Sequence, residues 1–309
     1  MSHLGMLLLG LGLSCLWRAQ VRLDRSGGWG RRWQRAWIHF LLPPLLLLTT
    51  ALALAWMGPW GQMAGVGGWF CYGCALLLLA VAGGVALHWI WEYWRSYRRA
   101  HLQALAQVDL HGSPAYVLDL EIPFAAQVGV WNAQLVVSRG LLEQLDDEHL
   151  RAVIAHEEAH RHYRDTLWMF GVGWLRRLTG WLPNTEALWQ ELLTLRELRA
   201  DRWAAQRVDP LLLGEALLQV VGYGVVEQPA AAWVGFAMTV SSDPRQRLQE
   251  RIDALLRQAE SGPVAPPAPF FFNSGLGLVG VGPVAFAGDP VPYLRICRMR
   301  YSGSGFLNF

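Results

Sequence analysis

Uninterrupted apolar runs dominate the N-terminal third of the chain. Residues 37–56 and 69–91 carry no formally charged side chain over 20 and 23 positions, respectively. Each run is long enough for a helix to cross a hydrocarbon core of roughly 30 Å at about 1.5 Å per residue. Tryptophans stand at their ends, where an amphipathic indole prefers the headgroup region. We therefore predict two membrane-spanning helices, the first of them bent near its start by Pro43 and Pro44.

A third apolar run, residues 4–17, is only 14 residues long. It is either a short span or a signal-like segment, although it lacks the basic start that a signal peptide needs. Together these runs predict that residues 1–91 form a transmembrane region.

Arginine placement predicts the orientation of this region. Six arginines and one aspartate lie between residues 18 and 35, whereas the connection 58–68 carries no charge. Cytoplasmic loops of membrane proteins are enriched in basic residues. We therefore expect a multi-pass membrane protein with residues 18–35 in the cytoplasm and the chain from about Glu92 onward in the cytoplasm or at the inner membrane face.

Beyond residue 91 the pattern becomes that of a mixed domain. A helix is predicted from Glu92 to Gln107. Short β-prone runs follow it, with 131–133 as a hairpin connection; these runs are residues 116–118, 127–130 and 134–137.

Helices dominate the remainder of this domain. Ser138, and then Asp146 or Asp147, are predicted N-caps of two successive helices. Residues 186–207 show a strong helix pattern, and the apolar stretch 166–174 is too short to cross and is predicted at the membrane interface. A sheet followed by helices makes residues 92–260 an α+β domain.

Residues 261–309 form the last predicted region. A Pro- and Ala-rich linker at 261–269 precedes an uncharged, Gly-rich run of 18 residues at 270–287. As a span, this run would place the arginines that follow it outside the cell, against the charge rule. Whether it crosses the membrane therefore stays open.

The composition supports a membrane protein. Hydrophobic residues make up 53% of the chain and charged residues only 16%, and there are 17 tryptophans. The net charge of +2 comes from basic residues scattered over several segments. We therefore expect lipid as a partner and no nucleic acid.

The chemistry of the chain is concentrated in an HExxH pattern on a predicted helix. His156 and His160 lie one turn apart on the same helix face and can bind one metal ion, for which Zn²⁺ is the expected cofactor. Glu157, between them, is placed to act as a general base on the attacking water. These residues predict a zinc metallopeptidase.

A catalytic zinc site needs a third protein ligand, offered here by a separate helix. Glu197 is the first candidate, because Asp201 lies one turn later and can hydrogen-bond a ligating histidine. Asp201 could equally form a plain ion pair with a neighbouring arginine. Glu186 and Glu191 are alternatives on the same helix, but neither has an acidic residue one turn on.

Further short motifs make the chain resemble the membrane zinc metallopeptidases of the BlaR and MecR antirepressor family. The resemblance covers roughly residues 92–256, with a similar hairpin before it. The shared motifs, in order, are Pro123-Phe124-Ala125, the segment 135–142, the segment 156–160, Arg164-Asp165, the segment 197–201 and Arg251-Ile252. The resemblance implies a cytosolic peptidase domain that cleaves protein substrates, with a repressor as the target in sensor members.

One departure separates the chain from the sensor members. They carry a penicillin-binding domain after the last span, whereas about twenty residues follow Ala287 here, and the chain has no Ser-x-x-Lys motif. We therefore do not expect a β-lactam sensor. HtpX-type membrane peptidases, which share HExxH followed by Glu-x-x-x-Asp, are the alternative resemblance and imply a quality-control protease. A non-enzymatic membrane signal transducer is the remaining alternative, and the sequence leaves the oligomeric state open.

Overall fold

The computed structural model describes residues 3–22, 28–59, 66–102, 104–224 and 244–261. Within these ranges the chain is an α+β protein with a small sheet. The helices are α1 (His3–Ala19), α2 (Trp29–Met57), α3 (Val66–Leu102), α4 (Arg139–Gln144), α5 (Asp147–His162), α6 (Asp165–Leu178), α7 (Thr185–Ala204), α8 (Pro210–Gly224) and α9 (Pro244–Ser261). The strands are β1 (Ala104–Leu110), β2 (Ser113–Leu118), β3 (Ala125–Val128) and β4 (Gln134–Ser138). The predicted linker 261–269 begins at the last described residue, and the predicted span 270–287 and the tail lie outside the described residues.

The first three helices pack against one another as a bundle. Two segments, Trp29–Met57 and Gly67–Arg99, are long and apolar enough to cross a membrane, and they contain both predicted spans. The outer faces of these helices expose large apolar side chains, such as Leu77 at 66% and Leu87 at 70%. Such a surface is unusual for a water-facing bundle and suits contact with lipid.

Helix α1 lies beside the other two over much of their length. A Cβ atom at Gly10 would lie 3.1 Å from Thr50 Oγ1, and the Ser14 hydroxyl donates to the carbonyl of Pro43 at 3.3 Å. Near its start, Met6 and Leu7 pack on a buried cluster that includes Leu54. The apolar run 4–17 is therefore a helix of the bundle.

The four described strands form one sheet in the order β1-β2-β4-β3. Strands β2 and β4 pair in parallel, and the other two pairs are antiparallel. Strand β3 therefore lies at an edge of the sheet. The predicted hairpin 127–137 is confirmed as β3 and β4, and its connection requires Gly129, where φ is +125° and a Cβ atom would lie 2.4 Å from Asn132 O.

The predicted helix over residues 92–107 is wrong at its end. Helix α3 stops at Leu102, and Ala104 already belongs to β1, a strand that the sequence pattern did not predict. The segment is rich in Ala, Leu and Gln, which favour helices, but pairing with β2 overrides that preference. A two-residue turn joins the strands, with φ of 52° at His111 and 87° at Gly112, the signature of a tight hairpin.

The predicted N-caps are confirmed at Ser138 and Asp146. The Ser138 hydroxyl accepts from the backbone N–H of Leu141, and the Asp146 carboxylate accepts from the N–H of His149. Asp146 is thus the cap of α5, and Asp147 is its first helical residue.

Buried contacts place α5 at the centre of the domain. One core lies among the sheet, α5, α8 and α9, and includes Val137, Ile154 and Leu213. A second core joins the membrane helix α2 to α6 and α7, with Phe40 and Leu192 fully buried. The domain is therefore packed directly on the helical bundle.

Candidate metal centre

Helix α5 presents the three residues of the HExxH pattern to one cavity. His156, Glu157 and His160 are all buried, with 6–8% of their surface exposed. The Nε2 atoms of the two histidines lie 3.2 Å apart. The spacing of four residues therefore places both imidazoles on one helix face, as the sequence predicts.

Helix α7 brings Glu197 to the same point. Glu197 Oε2 lies 3.2 Å from His156 Nε2, and Glu197 Oε1 lies 3.7 Å from His160 Nε2. One ligand atom from each of the three residues lies within 4.8 Å of the others. The alternative acids point elsewhere: Glu186 pairs with Arg176, and Glu191 pairs with Arg32.

Each histidine faces a buried carboxylate on its other side. Nδ1 of His156 lies 2.9 Å from Asp201 Oδ1, a close contact whose angle falls outside good hydrogen-bond geometry. Nδ1 of His160 lies 2.8 Å from Asp165 Oδ2, within hydrogen-bond geometry. The sequence argument expected the first partner and assigned no role to Asp165, although Asp165 follows His160 by only five residues. The turn that connects them contains Arg164 in the left-handed region, with φ of 53°.

Arg251 of α9 ties the acids of α7 together. Its Nε and Nη2 donate to the two oxygens of Asp201 at 2.7 and 2.8 Å, and its Nη1 lies 3.4 Å from Glu197 Oε2. Burial would raise the pKa of Asp201, but the Arg251 guanidinium beside it lowers that pKa below its usual value. Arg251 therefore keeps Asp201 ionised, a role that no sequence signal beyond the family motif indicated.

Asp165 has its own guanidinium partner. Arg199 of α7 donates to Asp165 Oδ1. Burial opposes ionisation of Asp165, yet the hydrogen bond from His160 and the charge of Arg199 lower its pKa. Both histidines are thus held by ionised carboxylates.

Two of the ligand candidates, Glu197 and His156, have perturbed pKa values. Burial opposes the charge of Glu197, but the neighbouring Arg196 and His160 bring the pKa of Glu197 well below its usual value. Burial also favours neutral His156, but Asp201 and Glu197 outweigh it and raise the pKa of His156 to about 9. The carboxylates of Asp201 and Glu197 thus favour a positive charge at the position of His156.

These donor atoms fit a zinc ion. Two imidazole nitrogens and a carboxylate oxygen are a donor set of catalytic zinc, which leaves a fourth position open. Bonds of roughly 2.0–2.2 Å in tetrahedral geometry place ligand atoms about 3.3–3.6 Å apart. The two Nε2 atoms are 3.2 Å apart, and the nearest carboxylate oxygens of Glu197 lie 3.2 Å from His156 (Oε2) and 3.7 Å from His160 (Oε1). With Nδ1 of each histidine facing a carboxylate, each Nε2 is directed at the common centre.

A cavity of about 200 Å³ lies beside this cluster. Strand β3 contributes residues 125–128 to its wall, and apolar side chains such as Val153 and Leu217 line it as well. Tyr93 of the membrane helix α3 is a further lining residue, and its hydroxyl accepts a hydrogen bond from the N–H of Val130 at 2.6 Å. The cleft is thus bounded by the edge of the sheet and by the membrane bundle.

Peptide hydrolysis also needs a hydrogen-bond donor to the developing oxyanion. The sequence assigns no such donor, and Tyr163 and nearby arginines are its only candidates. Arg196 and Arg251 line the cavity among the described residues. Tyr163 instead packs under Arg199, whose guanidinium carbon lies 4.2 Å from the centre of its ring. Tyr163 is thus not among the described residues that line the cavity.

Comparison with known proteins agrees with this arrangement. Residues 98–259, just over half of the chain, match peptidase family M48. A protease HtpX homolog of Acidiphilium cryptum strain JF-5 is 32% identical over 158 residues, which cover 45% of this chain and 52% of the relative. A protease HtpX homolog of Aquifex aeolicus strain VF5 is 46% identical over 54 residues, which cover 17% of this chain and 18% of the relative.

The chain thus spans about half the length of the first of these relatives and less of the second. No solved structure gives a significant match. The relatives support the HtpX-type resemblance, whereas the resemblance to the BlaR and MecR family is not confirmed. By the extent of the family match, the chain belongs to peptidase family M48.

Proposed function

We propose that the protein is an integral-membrane zinc endopeptidase that hydrolyses peptide bonds of protein substrates at the cytoplasmic face of the bacterial inner membrane. The observation that carries the proposal is the convergence of His156, His160 and Glu197 at the edge of a cleft. Membership of a peptidase family supports the reaction class.

In this proposal His156, His160 and Glu197 are the protein ligands of zinc, and Asp201 orients His156. When bound, the metal acts as a Lewis acid toward the scissile carbonyl and the attacking water. Glu157 is the general base: it takes the proton of the attacking water and passes it to the leaving amine. The burial of Glu157 in the cavity wall limits competing bulk water around that proton.

Strand β3 is the proposed substrate-binding edge. Its residues 125–128 line the cleft, and within the described sheet one side of β3 has no partner strand. An extended peptide can pair with such an edge through main-chain hydrogen bonds, which tolerates many substrate sequences. Broad main-chain recognition suits a quality-control protease better than one that cleaves a single repressor. The names of the matched relatives, protease HtpX homologs, agree with the HtpX-type resemblance.

Metal content and proteolysis of the full-length protein in detergent test the proposal. We expect about one zinc per chain, which is the stoichiometry of a mononuclear catalytic site. Casein cleavage should stop on chelation and resume when zinc is restored. Folded protein that binds no zinc and cleaves nothing would instead favour the non-enzymatic signal transducer.

A further inference from the structure

The first turn of the membrane helix α2 is linked to the helices that carry the metal site. Arg32 Nε donates to Glu191 Oε1 on α7 at 2.8 Å, and Arg32 Nη1 donates to Glu250 Oε1 on α9 at 2.5 Å. The side chains of Arg32 and Glu191 are only 9% and 8% exposed, and that of Glu250 is 25% exposed. One guanidinium therefore joins three helices in a largely buried position.

Glu250 is adjacent in sequence to Arg251, which contacts the proposed metal site. Successive residues on a helix point about 100° apart, since a turn has about 3.6 residues. Glu250 therefore faces α2 while Arg251 faces α7, where it binds both oxygens of Asp201 and lies 3.4 Å from Glu197. Anchoring Glu250 fixes the rotation of α9 that directs Arg251 into the site.

A second set of contacts runs from the same turns of α2 to the other histidine. The Arg199 guanidinium packs over the ring of Trp33, 4.6 Å from its centroid, and donates to Asp165, which holds His160. The Trp29 indole donates to the carbonyl of Leu195 at 3.2 Å. The start of α2 thus contacts Arg199, which binds the carboxylate behind His160, and Glu250, which precedes the arginine that binds the carboxylate behind His156.

We propose that Arg32 is a positioning residue of the metal centre, through which the membrane helix α2 sets the placement of α7 and α9 and thereby the direction of Arg251. The inference rests on the zinc site of the proposed function. It predicts that the peptidase centre has its full metal affinity only while α2 is docked on the domain. Arginine suits this position because its rigid planar fork directs Nε and Nη1 at two different carboxylates, whereas lysine offers a point charge on a flexible stem.

The test compares zinc affinity and the visible spectrum of the Co²⁺-substituted protein in the full-length chain, with kcat and KM for casein as further readouts. The variant is Arg32→Gln, and Arg32→Lys is the conservative partner. The control is Arg177→Gln, because Arg177 also joins a domain helix to a membrane helix, by its 2.6 Å bond to Glu92, although in a more exposed position. That pair touches none of the proposed ligands or their supports.

Arg32→Gln should weaken zinc binding about 10-fold or more, the scale of losing an outer partner of a metal site. It should also alter the Co²⁺ spectrum and lower kcat more than it raises KM, and Arg32→Lys should recover part of each loss. Arg177→Gln should match the wild type in zinc affinity and spectrum. If Arg32→Gln does not fold, the double variant Arg32→Met/Glu191→Met replaces it, since removing both charges of a buried pair is tolerated better than removing one.

Wild-type zinc affinity and Co²⁺ spectrum in the folded Arg32 variants would overturn the inference and leave the zinc site intact. An equal loss in Arg177→Gln would also overturn it, because general loosening of the domain would then explain both. Absence of zinc from the wild type is a different result and refutes the proposed function itself.

Discussion

Glu157 and His156 are neighbours on α5, but the proposed mechanism gives them different roles, so their variants should behave differently. Glu157→Gln is nearly isosteric and removes no ligand, so we expect folding and zinc content to survive. Cleavage should fall by about 10²- to 10⁴-fold, because a neutral amide cannot accept the proton of the attacking water. His156→Ala should lose zinc and cleavage together, because two remaining protein ligands rarely hold catalytic zinc.

Zinc stoichiometry and cleavage rate, measured on both variants in detergent, check this pair. Wild-type cleavage by zinc-loaded Glu157→Gln would show that Glu157 is not the base. Retained zinc in His156→Ala would remove that residue from the ligand set.

The third ligand is tested by comparing two acids of α7. Glu197→Ala should empty the zinc site, because its carboxylate lies 3.2 Å from His156 Nε2. Glu186→Ala is the control, since Glu186 is more than half exposed and pairs with Arg176 away from the cluster. Metal analysis of the two purified variants gives the result, and equal zinc content in Glu197→Ala and the wild type would reject Glu197.

The carboxylates behind the histidines form a second matched pair. Asp201→Asn and Asp165→Asn should each lower zinc affinity or activity by about 10- to 100-fold, the usual effect of removing an outer partner of a ligating histidine. Both should retain more zinc than Glu197→Ala. The sequence argument selected only Asp201, so a wild-type zinc affinity in Asp165→Asn would show that the 2.8 Å contact with His160 adds nothing to binding.

At the scale of elements, the start of α5 carries a titrating contact. His149 faces Asp146 of the cap at 2.8 Å and Glu215 of α8 at 3.4 Å. Burial favours neutral His149, but these two carboxylates raise its pKa above the ordinary value. A raised pKa contributes stability that is fully present below the unfolded pKa of about 6.5 and is lost as pH rises through the folded pKa.

Asp146 sets the lower pH limit at which this contact stabilises the protein. The hydrogen bonds from His149 lower the pKa of Asp146, so the stability that they contribute is lost as the pH falls through that pKa. The contact should therefore be strongest between about pH 4 and pH 6.5. We expect His149→Gln to reduce the melting temperature more at pH 5.5 than at pH 8.5, by thermal unfolding in detergent. An equal reduction at both pH values would show that the charge of His149 does not stabilise α5.

At the scale of the whole molecule, the packing of α1 against α2 indicates how many times the chain crosses the membrane. Arg18, near the end of α1, donates to the carbonyl of Phe40, whereas Met6 and Leu7 pack near Leu54. Helix α1 therefore covers the same depth as much of α2, which favours the short span over the signal-like alternative for residues 4–17. We expect an N-terminal tag outside the cytoplasm and the segment 18–35 inside it.

Reporter fusions after Arg35, Gln62 and Gln107, with protease access to an N-terminal tag in spheroplasts, check this arrangement. Signals from Arg35 and Gln107 should be cytoplasmic and the signal from Gln62 external. A cytoplasmic signal at Gln62 would invert the orientation. A protected N-terminal tag would remove α1 from the spans.

Local signals determined much of what the sequence predicts correctly. The uncharged runs 37–56 and 69–91, the caps at Ser138 and Asp146 and the i,i+4 pair of histidines all depend on neighbours within a few turns. Local physics suffices for them, because helical periodicity and capping act over short separations. The local pattern did not predict strand β1, because its helix-favouring residues form a strand only by pairing with β2.

Only the tertiary structure decided which distant charges meet. No sequence periodicity distinguishes Arg199 as the partner of Asp165, 34 residues away, or Arg251 as the partner of Asp201, 50 residues away. In the sequence, Arg32 counts only as one of six arginines that predict membrane orientation. In the folded protein it is buried between Glu191 and Glu250. The physical reason is that a buried charge requires a partner, and the packing of the helices determines which carboxylates are close enough to serve.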